Sequence, residues 1–369
     1  MQEFFNAAKA GDIACLRQFV NNNADLDAEN ENGFTALILA TREGHTDCVQ
    51  LLIDAHANIE TKGRYERTAL VWAGARGHMQ CAQLLITANA DVEVRDRSGD
   101  TALTWAARMG HTACVQLLFD ANVNVKTEMF NALILAAANG RTECVQLLLD
   151  LGAGVDDSNN SDETALMWAA RMGEEETVEL LVNANASIDA VDFIGSTALM
   201  FAAVENHTGC TQRLIDAGTD LEAEDCDERT ALLCAAAAGS TECVQLLIDA
   251  NASLKAKDDN GSTVLTLASG GGHAACTQRL IDAGADLEAG DDGGRTALLC
   301  AAAAGSTECV QVLIDANAAL DAVDNDGNTA LMLAAGGKNW DCVRLLLELA
   351  NDAFFTRTSK KHKLEQGHE

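Results

Sequence analysis

Ten positions set the architecture before composition is considered. Thr35, Thr68, Thr101, Asn131, Thr164, Thr197, Thr230, Thr263, Thr296 and Thr329 follow one another at 33 residues, with a single step of 30. A fixed period of this length marks a stacked array of supersecondary units. The unit is plainest in residues 230–251, TALLCAAAAGSTECVQLLIDAN, which recur at 296–317 with Leu246 replaced by Val312. Thr230 predicts a cap for a short inner helix over Ala231 to Ala238, and Gly239 a left-handed exit. Ser240 or Thr241 opens an outer helix in which Glu242 suits the macrodipole and Cys243, Val244, Leu247 and Ile248 form one apolar stripe. The residues aligned with Asn251, namely Asn23, His56, Asn89, Asn122, Gly152, Asn185, Gly218, Gly284 and Asn317, all tolerate positive φ, so one backbone turn is expected after every outer helix.

A 33-residue unit costs on the order of 50 kcal/mol in chain entropy, which roughly 2,000 Å² of apolar burial would offset. Two short helices cannot bury that much alone. Each unit must rest on its neighbours, and the expected product is an elongated solenoid.

The run GSTALMFAAVENHTGCTQRLIDAGTDLEAED, from Gly195 to Asp225, resembles an ankyrin repeat: a threonine-led inner helix, a turn, an outer helix, a Gly-Ala style exit and an acidic finger. The resemblance extends over eleven units to about residue 352. It implies an all-α ankyrin-repeat solenoid of helix-turn-helix units with β-hairpin-like fingers. It also implies that protein partners lie against the fingers and inner helices. The chain departs from the family signature Thr-Pro-Leu-His. It has no proline at all, and alanine fills that site. The histidine site holds Ile38, Val71, Thr104, Ile134, Met167, Met200, Leu233, Thr266, Leu299 or Met332. Apolar packing is therefore expected to replace the family's histidine ladder.

Residues 1–32 read as an N-terminal capping repeat, 33–326 as nine full repeats, 327–352 as a C-terminal capping repeat and 353–369 as a polar, disordered tail. With no composition shift, the repeats read as one continuous array. The finger after the fourth unit, residues 122–130, lacks three residues, and the fifth unit is expected to start near Met129 with Asn131 as its cap. Residues 211–251 and 277–317 match at 35 of 41 positions, with four of the six differences in the finger. A two-repeat block has been duplicated there. The tail carries Lys360, Lys361, His362 and Lys363, which suit either disorder or a localisation signal.

The chain carries 56 acidic and 25 basic residues, a net charge of −31. This charge repels nucleic acid and anionic membranes; it either solvates the outer face or attracts a basic protein partner. No run approaches 18 apolar residues and the N-terminus lacks a signal-peptide pattern, so a monomer of the cytoplasm or nucleus, without membrane insertion, is expected. Ten of the thirteen cysteines share one column, from Cys15 to Cys342, too far apart from helix to helix for bridges. They read as buried thiols.

No candidate catalytic, metal or phosphate motif has the full set of residues its chemistry needs. His-x-x-Cys occurs at His45/Cys48, His78/Cys81, His111/Cys114, His207/Cys210 and His273/Cys276, but zinc needs four converging ligands, and the next pair is a repeat away. Registering Gly327 as a calcium-loop glycine puts Ala322 and Leu333 where carboxylates are required. Gly270, Gly271 and Gly272 follow no strand and lack the lysine of a phosphate loop. Cys226, on a finger, is expected to be exposed and blunted by Asp225 and Asp227. The expectation is a non-enzyme without cofactor or metal: a scaffold or adaptor, or the regulatory or targeting subunit of a ubiquitin ligase, kinase or phosphatase complex. Its expected contact residues are Arg42, Trp72, Arg76, Trp105, Arg108, Met109, Trp168, Arg171 and Met172, on the inner helices of units two to six. The finger-tip acids Asp258, Asp259, Asp291, Asp292, Asp324 and Asp326 form a second line. The Trp72, Trp105, Trp168 and Phe201 column either packs beneath the fingers or forms an exposed strip.

Overall fold

The computed structural model describes residues 1–121 and 126–348, which form two compact units, Met1–Ser187 and a second beginning at Ile188. Within each unit the same helix pair repeats. In the first, inner helices Gln2–Ala10, Ala36–Glu43, Ala69–Arg76, Ala102–Met109, Lys126–Ala138 and Ala165–Met172 pack on one another in chain order. The outer helices Ile13–Asn21, Thr46–Asp54, Met79–Thr87, Thr112–Ala121, Thr142–Asp150 and Glu175–Asn183 lie behind them. The second unit repeats the arrangement from Ala198–Val204 through Ala330–Gly336, ending in a helix over residues 340–348.

Except at Thr296, the threonines of the column do the capping that their spacing predicts. Thr35 accepts from the Ile38 N–H at 3.3 Å, Thr68 from Val71 at 3.4 Å and Thr263 from Thr266 at 3.2 Å. Each satisfies one orphan donor of a helix start. The exit turns also fall where expected: Asn23, His56, Asn89, Asn185, Asn251 and Asn317 all have positive φ. Asn122 lies outside the described residues. The histidine site has become core, with Ile38 and Val71 1% exposed and Leu233 and Leu299 0%. Lost hydrogen bonds are thus replaced by burial. At the far end Met332 is 58% exposed, as befits a terminal repeat.

One expectation is corrected. Asn131 caps nothing, because the fifth inner helix begins five residues earlier, at Lys126, and Asn131 lies within it. With the finger shortened, helix replaces it. From this extension Glu128 pairs with Arg95 and accepts from Thr101 Oγ1 at 3.4 Å, tying back to the preceding repeat. The β character of the fingers is slight. Among the described residues only three isolated antiparallel bridges occur, Ser158 with Thr164, Lys257 with Thr263 and Val323 with Thr329.

Identical sequence does not give identical capping in the duplicated block. Thr230 accepts from the Leu233 N–H at 3.5 Å, whereas the hydroxyl of Thr296 is buried without a hydrogen-bond partner. Thr230→Ala is expected to cost about 1 kcal/mol of stability and Thr296→Ala less. Thermal melts of the two variants check this; a larger loss for Thr296→Ala would contradict it.

Candidate functional site

In the first unit Trp72, Trp105 and the basic residues around them form one ladder. Trp72 and Trp105 occupy the same turn of successive inner helices, and helical spacing brings Arg76 and Arg108 back over their rings at 5.9 and 4.7 Å. Arg171 lies over Trp168 in the same way at 4.9 Å. Phe34 meets Trp72 edge-on at 5.9 Å, and Arg42 covers both. The centre is Arg67, from the finger just before the Thr68 cap. Its guanidinium stands 3.9 Å from the Trp105 ring centre, 5.0 Å from that of Trp72 and 5.7 Å from that of Tyr65. Cations stacked on aromatic faces hold fixed planes.

Carboxylates fix the ladder from beneath. Asp96, whose side chain is fully buried, accepts from Arg67 Nε and from Trp105 Nε1, both at 2.9 Å. It also takes the N–H groups of Ser98 and Asp100. Burial alone would raise its pKa, but these four donors outweigh it and hold the carboxyl below its usual range. Asp100 pairs with Arg108 at 2.9 Å, and Glu163 pairs with Arg171 at 2.8 Å. Burial pushes the Asp100 carboxyl above its ordinary value against the pull of Arg108. Asp100 and Glu163 each precede the capping threonine of the two repeats that share the pattern TAL-x-WAARMG. That shared pattern could have flagged them; nothing in the sequence flagged Arg67 or Asp96.

The tryptophans pack under their arginines rather than forming an exposed strip. Trp72 is 8% exposed and Trp105 and Trp168 are half-buried. Arg76 is exposed and makes no ion pair among the described residues, while Met109 and Met172 stand 43% and 45% exposed at the same helix ends. The inner-helix ends of the second to fourth repeats therefore present ordered guanidinium groups beside the adaptable apolar side chain of Met109, and that of the sixth presents Met172.

The acidic line in the second unit needs correction. Asp258, Asp291 and Asp324 are buried, and each folds back to accept backbone N–H groups of its own finger tip. A short carboxylate that closes its own turn is structural. Their neighbours Asp259, Asp292 and Asp326 are the exposed acids.

The helix-opening histidines and the thiols have structural partners. His45 Nε2 donates to the Lys9 carbonyl at 2.9 Å, His78 to Arg42 at 3.1 Å and His273 to Ala237 at 3.1 Å. Arg141, Ser240 and Asn339 do the same job in their repeats. A cross-repeat ladder therefore runs along the starts of the outer helices. All thirteen cysteines are free, and nine of the ten in the column are buried, Cys15 being partly exposed. Burial pushes the Cys114 and Cys144 thiols up to about 11. Cys226 is exposed, and slight desolvation with Asp227 and Asp225 raises its pKa too. A thiol reagent at pH 8 is expected to modify Cys226 first and to reach Cys114 only on unfolding. Mass mapping of the labelled sites checks this, and early labelling of Cys114 would contradict it.

Among the described residues no helix is long and apolar enough to cross a membrane, and no His, Cys, Asp and Glu cluster could hold a metal ion. No curated protein sequence matches the chain. The crystal structure of the human ASB11 ankyrin repeat domain aligns at a TM-score of 0.52 and 25% identity, covering 55% of this chain and 90% of that one. The family model for ankyrin repeats (3 copies) matches residues 4–96, 55–129, 126–192, 199–291 and 268–358. With helix pairs, capping threonines and exit turns recurring in both units, the chain belongs to the ankyrin repeat family, whose repeats are protein–protein interaction modules.

Proposed function

We propose that the protein is a non-catalytic scaffold that holds a protein partner along the inner helices of its first unit. The observation that carries this reading is the stack of Arg42, Trp72, Arg67, Trp105 and Arg108, whose guanidinium planes are set by aromatic rings and buried carboxylates. Such a face costs little ordering entropy on binding, which is the usual property of an interaction hot spot. Arg76, Met109 and Met172 supply the free charge and adaptable apolar contact, and Arg171 with Trp168 repeats the motif two inner helices further on. The segment bound there carries acidic side chains. In the second unit Asp259, Asp292 and Asp326 form a separate line suited to basic side chains of the same or another partner. The scaffold works as a monomer in the cytoplasm or nucleus.

Reversing Arg76 tests the reading cleanly, because it stands outside the paired core of the ladder. Arg76→Glu is expected to leave the melting profile nearly unchanged and to weaken partner binding roughly tenfold or more. Binding to the wild-type chain is expected to fall steeply with added salt. Unchanged affinity in the variant, with no salt dependence, would overturn it.

A further inference from the structure

Among the described residues six fingers each hand a carboxylate to the next. In the first unit Asp27 accepts the Asn58 N–H at 2.7 Å, Glu60 that of Asp91 at 2.9 Å and Asp156 that of Ser187 at 2.8 Å. In the second, Asp189 accepts from Asp220 at 2.9 Å, and Glu222 from Ser253 and Glu288 from Ala319, both at 2.8 Å. Donor and acceptor are 31 residues apart every time. Between Glu222 and Glu288 the acceptor position holds Lys255. A lysine has three donors and no acceptor, so the preceding finger offers nothing to the Asp286 N–H.

A cavity of about 480 Å³ lies at this break, lined on its polar side by Lys255 and Asp286 and on its apolar side by Leu254, Val264, Leu265 and Ala289. That size is ordinary for a small-molecule site. A second lysine, Lys257, also borders it and is engaged with the Gly290 carbonyl at 3.0 Å. The Asp286 carboxylate, the one acid in the lining, accepts the Glu288 N–H at 3.0 Å.

We propose that this cavity binds an aliphatic carboxylate. The carboxylate stands in for the missing finger acid, accepting from the Asp286 N–H beside the Lys255 ammonium, while the aliphatic tail lies on Leu254 and Ala289, backed by the buried Val264 and Leu265. The coincidence carries the argument: where the column of acids is interrupted, the interrupting residue has the charge that recruits an acid from outside, and the space to hold its tail opens there. The same chemistry belongs to a free aliphatic acid and to the C-terminus of a peptide ending in an aliphatic residue.

Isotope-labelled protein titrated with octanoate reads the site at the Asp286 amide. A saturable shift of that resonance is expected, with octan-1-ol at least tenfold weaker. An acetylated peptide ending in Leu-Val, compared as its free acid and its amide, separates the two sources: the tighter of octanoate and the free-acid peptide identifies which is meant. Lys255→Glu restores the acceptor found at every other described finger of this type; it is expected to weaken octanoate at least tenfold without lowering the melting temperature. Equal binding of octanoate and octanol, no saturable shift at the Asp286 amide with either acid up to 10-millimolar order, or undiminished binding by Lys255→Glu would each overturn the proposal.

Discussion

Asp96→Ala is expected to destabilise the first unit by about 3–5 kcal/mol, the cost of breaking a buried ion pair by removing one partner. Asp96 is the shared acceptor of Arg67, Trp105 and two backbone N–H groups. Without it, Arg67 remains pinned under the ladder with its charge uncompensated, its side chain only 14% exposed. Asp96→Asn keeps the shape and one acceptor oxygen, so its loss should be smaller. The pH dependence has the same origin. A carboxyl whose folded pKa lies below the unfolded value contributes stability above the unfolded pKa, near 4, and that contribution disappears as the pH falls through the folded value. Melts of wild type and Asp96→Ala at pH 7 and at pH 3 check both statements: the gap between them should narrow in acid. A gap that stays constant would show that Asp96 is not ionised in the fold.

Gly74→Ala runs against helix propensity. Gly74 lies inside the inner helix Ala69–Arg76, where alanine is ordinarily better by about 1 kcal/mol. Here a Cβ would collide with the carbonyl oxygen of Ala102 and come 3.1 Å from its carbonyl carbon, both backbone atoms of the next inner helix. Neither can move aside alone. A net loss of about 1–3 kcal/mol is expected, the range of an overpacked core. The functional consequence is larger, because this close approach lets Arg67 span Trp72 and Trp105. Pushing the two helices apart opens the ladder at its centre, so a shift in tryptophan fluorescence should accompany the lowered melting temperature. An unchanged or raised melting temperature would show that the helices yield without strain.

What was legible in the sequence is what repeats. Capping threonines, the positive-φ turn after each outer helix and the buried cysteine column are local requirements imposed at every period, so each copy corroborates the others. What was not legible depends on a single neighbour. Asp258 and Asp259 are adjacent and chemically identical, yet one closes its turn and the other faces solvent. Arg67 reads as one more finger cation until the following repeat brings Asp96 and Trp105 to it. Asn131 falls on the threonine period, but a shortened finger lets helix start before it. The arginines and tryptophans read as a column, whereas their stacking order depends on helix-to-helix spacing that no pattern records.

Photo-crosslinking from chosen positions tests the central claim most directly. A crosslinker at Met109, exposed at the end of the ladder, is compared with one at Gln50, on the outer helix Thr46–Asp54. The predicted result is a discrete protein adduct from Met109 that disappears in the Arg76→Glu background, with none from Gln50. Equal adducts from both positions, or a Met109 adduct indifferent to Arg76→Glu, would contradict the claim that this face of the first unit holds the partner.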